Sequence, residues 1–88
     1  MRKISYTNRF LKDYKQIKKR GWDIRQLEAF VDLLVTNQPL PPSARPHKLS
    51  GKYRHAWDAH VSPDWILIYE LDNNHLVLRR TGTHADLF

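Results

Sequence analysis

Residues 65–71, WILIYEL, are apolar at every position except Glu70. A run of this length is short for a helix and reads as a strand covered on both faces, the centre of a sheet. Ser62-Pro63-Asp64 interrupts the chain just before it, and Asp72-Asn73-Asn74 just after. Both are turn signals, so a strand is expected on either side: residues 52–61 before the run, and 75–80 (HLVLRR) after it. WILIYEL then becomes the middle of an antiparallel meander.

Upstream the apolar period changes. Residues 3–6, KISY, read as a short opening strand, after which Thr7 or Asn8 offers a helix N-cap. Phe10, Leu11, Tyr14 and Ile17 recur at helical spacing, and Gly21 stops that helix behind a basic last turn, Lys18-Lys19-Arg20. Asp23 caps a second helix with the stripe Ile24, Leu27, Phe30, Val31 and Leu34. Two helices joined by so short a turn form a hairpin whose stripes need a surface to cover, and the sheet supplies it. The proline-rich stretch 39–46, PLPPSARP, is an ordered loop rather than a linker. The expected architecture is therefore α+β, in the order β-α-α-β-β-β, with the helical hairpin packed on one face of an antiparallel sheet. A chain of 88 residues makes one domain, 1–88.

With 41% hydrophobic residues and 11% aromatic, the chain has the material for a core. It contains no cysteine, which excludes disulfides and thiolate metal sites and suits a reducing cytoplasm. The opening MRKISYTNRF lacks the apolar segment of a signal peptide, and Trp65–Tyr69 is far too short to span a bilayer. Fifteen Lys and Arg against nine Asp and Glu leave a net charge of +6, which favours a polyanionic partner.

Five histidines raise the question of chemistry. His60 and Asp64 flank one hairpin turn and are expected at the same edge of the sheet. The tail after the last strand is expected to return towards that edge, bringing His84 and Phe88 with it. A zinc site is disfavoured, because no two histidines stand at i and i+4, and His55 and His60, five apart on a strand, would face opposite sides. Acid–base chemistry on RNA fits better. RNA carries its own nucleophile, the 2′-hydroxyl, and needs only a base, an acid and donors for the charged transition state. Histidine serves as either acid or base near neutral pH. Lys12, Lys15 and Lys19 on the first helix would meet backbone phosphates, while Trp65 and Phe88 are the aromatics expected to touch substrate.

The segment DAHVSPDWILIYEL (58–71), the ending RTGTHADLF (80–88), and the proline loop running into HKLSG (47–51) resemble the YafQ branch of the RelE-like toxins. The likeness covers nearly the whole chain. It implies a RelE-like fold and a type II toxin that cleaves mRNA in the ribosomal A site until a cognate antitoxin neutralises it. Carried over by motif, the functional residues fall on His47, His60, Asp64, His84 and Phe88, with Trp65 beside them. On that resemblance, His60 and His84 form the acid–base pair and Asp64 orients a histidine or acts as base. His47 and Arg54 hold phosphate, and Phe88 stacks on the base at the cut. His55 and His75 lie outside the motifs and are read as structural or exposed. The expected partners are the antitoxin, the ribosome and its message, with no membrane, cofactor or metal. The competing readings are a non-catalytic RNA- or ribosome-binding module, a basic partner of an acidic protein, and a metal-dependent nuclease.

Overall fold

The computed structural model describes residues 1–88. Five strands, β1 (Lys3–Tyr6), β2 (His47–Lys48), β3 (Trp57–Ser62), β4 (Trp65–Leu71) and β5 (His75–Gly82), form one sheet in the order β1-β5-β4-β3-β2. Helices α1 (Asn8–Lys19) and α2 (Ile24–Val35) lie between β1 and β2, and a short α3 (His84–Leu87) ends the chain. WILIYEL is β4, the central strand, antiparallel to β3 and β5, and buried continuously from Trp65 to Tyr69. Both expected helix caps form: Thr7 Oγ1 accepts from the Phe10 amide at 3.0 Å, and Asp23 from the Arg25 amide at 3.1 Å.

The α+β class and the helix pair on one face agree with the reading of the sequence, but the sheet is mixed. β1 runs parallel to β5, Lys3 opposite His75 through Tyr6 opposite Leu78. Thr7 continues the contact, its amide donating to Leu78 O at 3.1 Å and its hydroxyl to Arg79 O at 2.8 Å. Because α1 starts immediately after this residue and must fold back over the sheet, β1 is constrained to run alongside β5.

A second correction concerns residues 52–61, expected as one strand. Gly51 (φ +66°) and His55 (φ +72°) both adopt left-handed backbone, which a strand cannot accommodate. Residues Gly51–Tyr53 form a 3₁₀ turn instead, and the strand begins only at Trp57. His55 therefore sits in an exposed turn, not mid-strand, and the loop before it supplies the two-residue β2.

The sheet has an apolar layer on each side. Ala59, Trp65, Leu67, Tyr69, Leu76 and Leu78 pack with residues of α1 and α2, among them Phe10, Ile17, Leu27, Phe30 and Leu34. A smaller cluster, Tyr53, Ala56, Ile66, Ile68 and Leu87, covers the opposite face. Leu11, expected on the buried stripe, is exposed, and Asp13 is buried instead. Its carboxylate receives Arg80 Nε at 2.9 Å and Nη2 at 3.1 Å, together with the Thr81 amide at 3.2 Å. Since β1 ends at Tyr6, the outer edge of β5 beyond Leu78 has no strand partner, and Asp13 satisfies an edge amide there. Donating to Asp13 also holds the Arg80 guanidinium above its ordinary pKa.

Replacing Asp13 with Leu leaves Arg80 charged, largely buried and without its carboxylate, which is expected to destabilise the fold by up to about 3–5 kcal/mol. Urea unfolding should show that loss, a large part of a total typically about 5–15 kcal/mol. The double variant Asp13→Leu/Arg80→Met should recover much of it. Equal losses in the single and double variants would mean that the unpaired arginine is not the cause.

Candidate active site

Alternation along β3 sends Ala59 and Val61 towards the helices, and Asp58 and His60 to the other face. The register continues this across the sheet. His47 pairs with Asp58, Asp58 with Ile68, and Ile68 with Arg80, while His60 pairs with Ile66 and Ile66 with Gly82. His60 is thus two strand spacings, about 10 Å, from the residue that leads into the C-terminal tail. A register shift between His60 and Ser62 marks a bulge, a device that re-aims side chains at the end of a strand. His60 Nδ1 is buried without a hydrogen-bond partner, as is Asp58 Oδ1. Buried polar groups without a protein partner are uncommon. A cleft of about 540 Å³ opens beside His60, between Ser43 and Arg45 of the proline loop and Ser62-Pro63 of the turn.

The tail is pinned from four directions. Thr83 and Asp86 form a capping box, Thr83 Oγ1 accepting from the Asp86 amide at 3.1 Å and Asp86 Oδ2 from the Thr83 amide at 2.9 Å. Arg20, at the end of α1, grips the same carboxylate with Nη1 at 2.7 Å and Nη2 at 3.2 Å. Asp64 Oδ1, from the β3–β4 turn, accepts the His84 amide at 3.2 Å. Tyr53 Oη donates to Leu87 O at 3.4 Å. Gly82 permits this closure, because a Cβ there would meet Asp86 Oδ2 at 2.9 Å. The result is a pair of exposed rings, His84 and Phe88, 4.9 Å apart, with the buried Tyr53 ring edge-on to Phe88 at 5.9 Å.

Of the residues singled out from sequence, Asp64, His84 and Phe88 meet in this group, and His60 shares its face of the sheet. His47, exposed on β2, stands apart with Nδ1 3.9 Å from Asp58 Oδ1. Asp64 binds the His84 backbone rather than an imidazole. Trp65 is not a surface aromatic: it is 4% exposed, donates from Nε1 to Thr81 Oγ1 at 2.9 Å, and packs on Trp22 at 5.1 Å. As the first residue of the buried central strand it packs in the helix-side cluster and presents no exposed ring for stacking. Arg54 is exposed in the turn before β3. Lys12, Lys15 and Lys19 are also exposed, but at 100° per residue they point about a quarter turn away from the α1 face directed at the tail. That face carries Arg9, Asp13, Gln16 and Arg20.

Local pattern does not single out Asp58 or Arg80, and it offers Arg20 only as one cation of a basic helix and Tyr53 only as one of several aromatics. Asp58 stands two before His60, a spacing that puts both on one face of a strand. Asp13 was the lone acidic residue of a basic helix, which was a signal for the buried partnership with Arg80.

The chain matches a family model described as bacterial toxin of type II toxin-antitoxin system, YafQ, over residues 2–88. This chain belongs to the YafQ toxin family. It is 46% identical over 88 residues to the mRNA interferase toxin YafQ of Escherichia coli K12, covering 99% of this chain and 96% of that one. The YafQ-family fold here superposes on the toxin in a crystal structure of the E. coli DinJ-YafQ toxin-antitoxin complex with a TM-score of 0.90, 45% identity and coverage of 99% and 97%. A metal-bound toxin from Helicobacter pylori is similar at a TM-score of 0.91 and 37% identity, each chain fully covered. In this YafQ-family chain no group of three or more His, Asp or Glu is placed to hold a metal.

Arg20, through its hydrogen bonds, holds the Asp86 carboxylate well below the usual carboxylate range, with help from the Thr83 amide. A lowered folded pKa means that the stabilisation is present above about pH 4 and is lost as the pH falls through the folded value. Amide exchange at Phe88, whose N–H donates to His84 O, should therefore accelerate below pH 4 relative to its intrinsic rate. Asp86→Asn should show poor protection already at neutral pH, with little further loss in acid. Equal protection in both proteins would remove the clasp from the account of the tail.

Proposed function

We propose that this chain is a ribosome-dependent endoribonuclease that cuts messenger RNA by metal-independent acid–base catalysis, and that a cognate antitoxin holds it in check. The observation that carries this reading is the Asp64–His84 hydrogen bond, which fixes an exposed histidine and the Phe88 ring beside the turn that follows His60. In the reaction the message's 2′-oxygen attacks the adjacent phosphorus and loses its proton to one histidine. The P–O5′ bond breaks, and a second, protonated histidine gives its proton to O5′. The products are a 2′,3′-cyclic phosphate and a 5′-hydroxyl, so atoms balance with no further reactant.

His60 and His84 divide the two proton transfers. The unpartnered His60 Nδ1 leaves Nε2 as the atom to meet substrate. Asp64 is a positioning residue, acting through the His84 amide. Phe88, half exposed at 55%, offers a face on which the base at the cut can stack. His47 and Arg54 contact phosphate, and Lys12, Lys15 and Lys19 add a flanking basic face. The E. coli relative is described as an mRNA interferase and as a complex with DinJ, which supports both the reaction and the partner. Exposed Ile4, Tyr6 and Leu11 border an apolar groove between β1, α1 and α2, a surface suited to a protein partner. No helix is long and apolar enough to cross a membrane, and an enzyme of messages works in the cytoplasm.

The test is cleavage of a defined message on programmed ribosomes, with 3′ ends mapped for wild type and His84→Ala, with and without chelator. Removing a general acid or base should slow cleavage by roughly a hundredfold or more while ribosome binding persists. Loss of wild-type cleavage in chelator would overturn the metal-free mechanism. Ribosome binding by wild type with an intact message would identify a non-catalytic binding module instead.

A further inference from the structure

We propose that a basic pocket beside the N-terminal turn of α1 is a further phosphate subsite, taking a phosphodiester of the nucleic acid that the toxin engages. The inference rests on the RNA-cutting reading above and goes beyond it in naming residues outside the histidine site.

The pocket, about 370 Å³, is lined by Thr7, Arg9, Lys52, Tyr53, Arg79 and Arg80. Four of the six side chains are cationic, two are hydroxyls, and none is a carboxylate. Arg80 and Arg79 are held from behind by Asp13 and Glu70, so both guanidiniums are fixed in position. Arg9 and Lys52 are exposed and have no carboxylate partner. Lys52 Nζ lies over the Tyr53 ring, 5.5 Å from its centre, and Tyr53 Oη accepts from Arg80 Nη1 at 3.3 Å. Two cations without carboxylate partners therefore converge on a concavity in which the guanidiniums of Arg79 and Arg80 are pre-oriented. Phosphate oxygens suit such a site, because they accept charge-assisted hydrogen bonds from several directions at once.

The neighbouring cleft provides a contrast. It also contains Arg9 and Arg80, with Arg20, but there Asp13 and Asp86 contribute carboxylates, and an anion would meet like charge. Position adds to the argument. Tyr53 lines the pocket and also packs edge-on against Phe88, so the pocket lies one aromatic ring from the tail. A polynucleotide whose base stacks on Phe88 would lay a neighbouring phosphate on Arg9 and Lys52.

The experiment measures binding of the full chain to two probes across a KCl series. One is a fluorescent single-stranded DNA hexanucleotide, which lacks the 2′-hydroxyl and is not cut. The other is ribosomes carrying no message. The proteins are wild type, Arg9→Gln/Lys52→Gln, the charge-preserving Arg9→Lys/Lys52→Arg, and Lys3→Gln/Arg25→Gln as a charge-matched control outside the pocket. Losing two phosphate contacts should flatten the log–log salt slope by about 1.4 on the single strand. The charge-preserving pair and the control should stay near wild type. Flattening on the hexanucleotide assigns the site to a message phosphate, and flattening on vacant ribosomes alone assigns it to a ribosomal one. Flattening on neither probe, or equally in the control, overturns the subsite. The single variants Arg9→Gln and Lys52→Gln, each expected to shift the slope by about 0.7, decide the matter if the double variant does not fold. Because no cleavage is read, failure here leaves the ribonuclease reading to its own test.

Discussion

The largely buried pair of Asp13 and Arg80 is the interaction on which most of the rest depends. It fastens α1 to the edge of β5 where β1 has run out, and it supplies the acceptor for an otherwise unpaired strand amide. From Arg80 the connection runs onward to the Tyr53 hydroxyl, and from Tyr53 to the Leu87 carbonyl and the Phe88 ring. One carboxylate on a helix is thereby linked to the terminal residue through two side chains, Arg80 and Tyr53. A buried ion pair contributes little net stability against an apolar replacement. What it adds here is direction, since three hydrogen bonds tie the Asp13 carboxylate to Arg80 and to the Thr81 amide.

The tail shows why such positioning is needed. Four residues of helix cannot hold themselves together, because nucleating a helical turn orders several residues for a single backbone bond. α3 exists because Thr83 and Asp86 cap its start, Arg20 neutralises the cap, Asp64 takes one free amide, and Leu87 is buried beneath it. Each contact comes from a different part of the chain: the end of α1, the 3₁₀ turn, the β3–β4 turn and the tail itself. The two rings that these contacts present, His84 and Phe88, are both exposed. Rigid backbone beneath exposed functional groups is the arrangement that orientation-dependent catalysis requires.

The two faces of the sheet divide the work. The helical face carries the larger apolar cluster and gives the chain its stability, whereas the opposite face holds a small cluster with polar groups left unsatisfied along β3. His60 and Asp58 belong to the second face. The bulge at the end of β3 and the left-handed residues at Gly51 and His55 bend the chain on either side of that strand, and the cleft is walled by the end of β3 and by Ser43 and Arg45 of the proline loop.

Much of this was determined by the sequence alone. The central strand, the meander, the two capped helices and the α+β class follow from period, turn residues and caps, which are local properties. The motifs around His60, Asp64, His84 and Phe88 pointed to the site, because alternation and hairpin geometry bring the turn and the tail together. What only the tertiary structure decided was whatever depends on partners distant in the chain. The parallel direction of β1 depends on where α1 must fold back, and the burial of Trp65 depends on which face the helices cover. Which cations of α1 face the tail, Arg9 and Arg20 rather than Lys12, Lys15 and Lys19, depends on how α1 is rotated about its axis, an orientation that Asp13 fastens by reaching a strand residue 67 positions away in the chain. Local pattern carries no information about such a distance, because the pair forms only once the sheet edge it completes already exists.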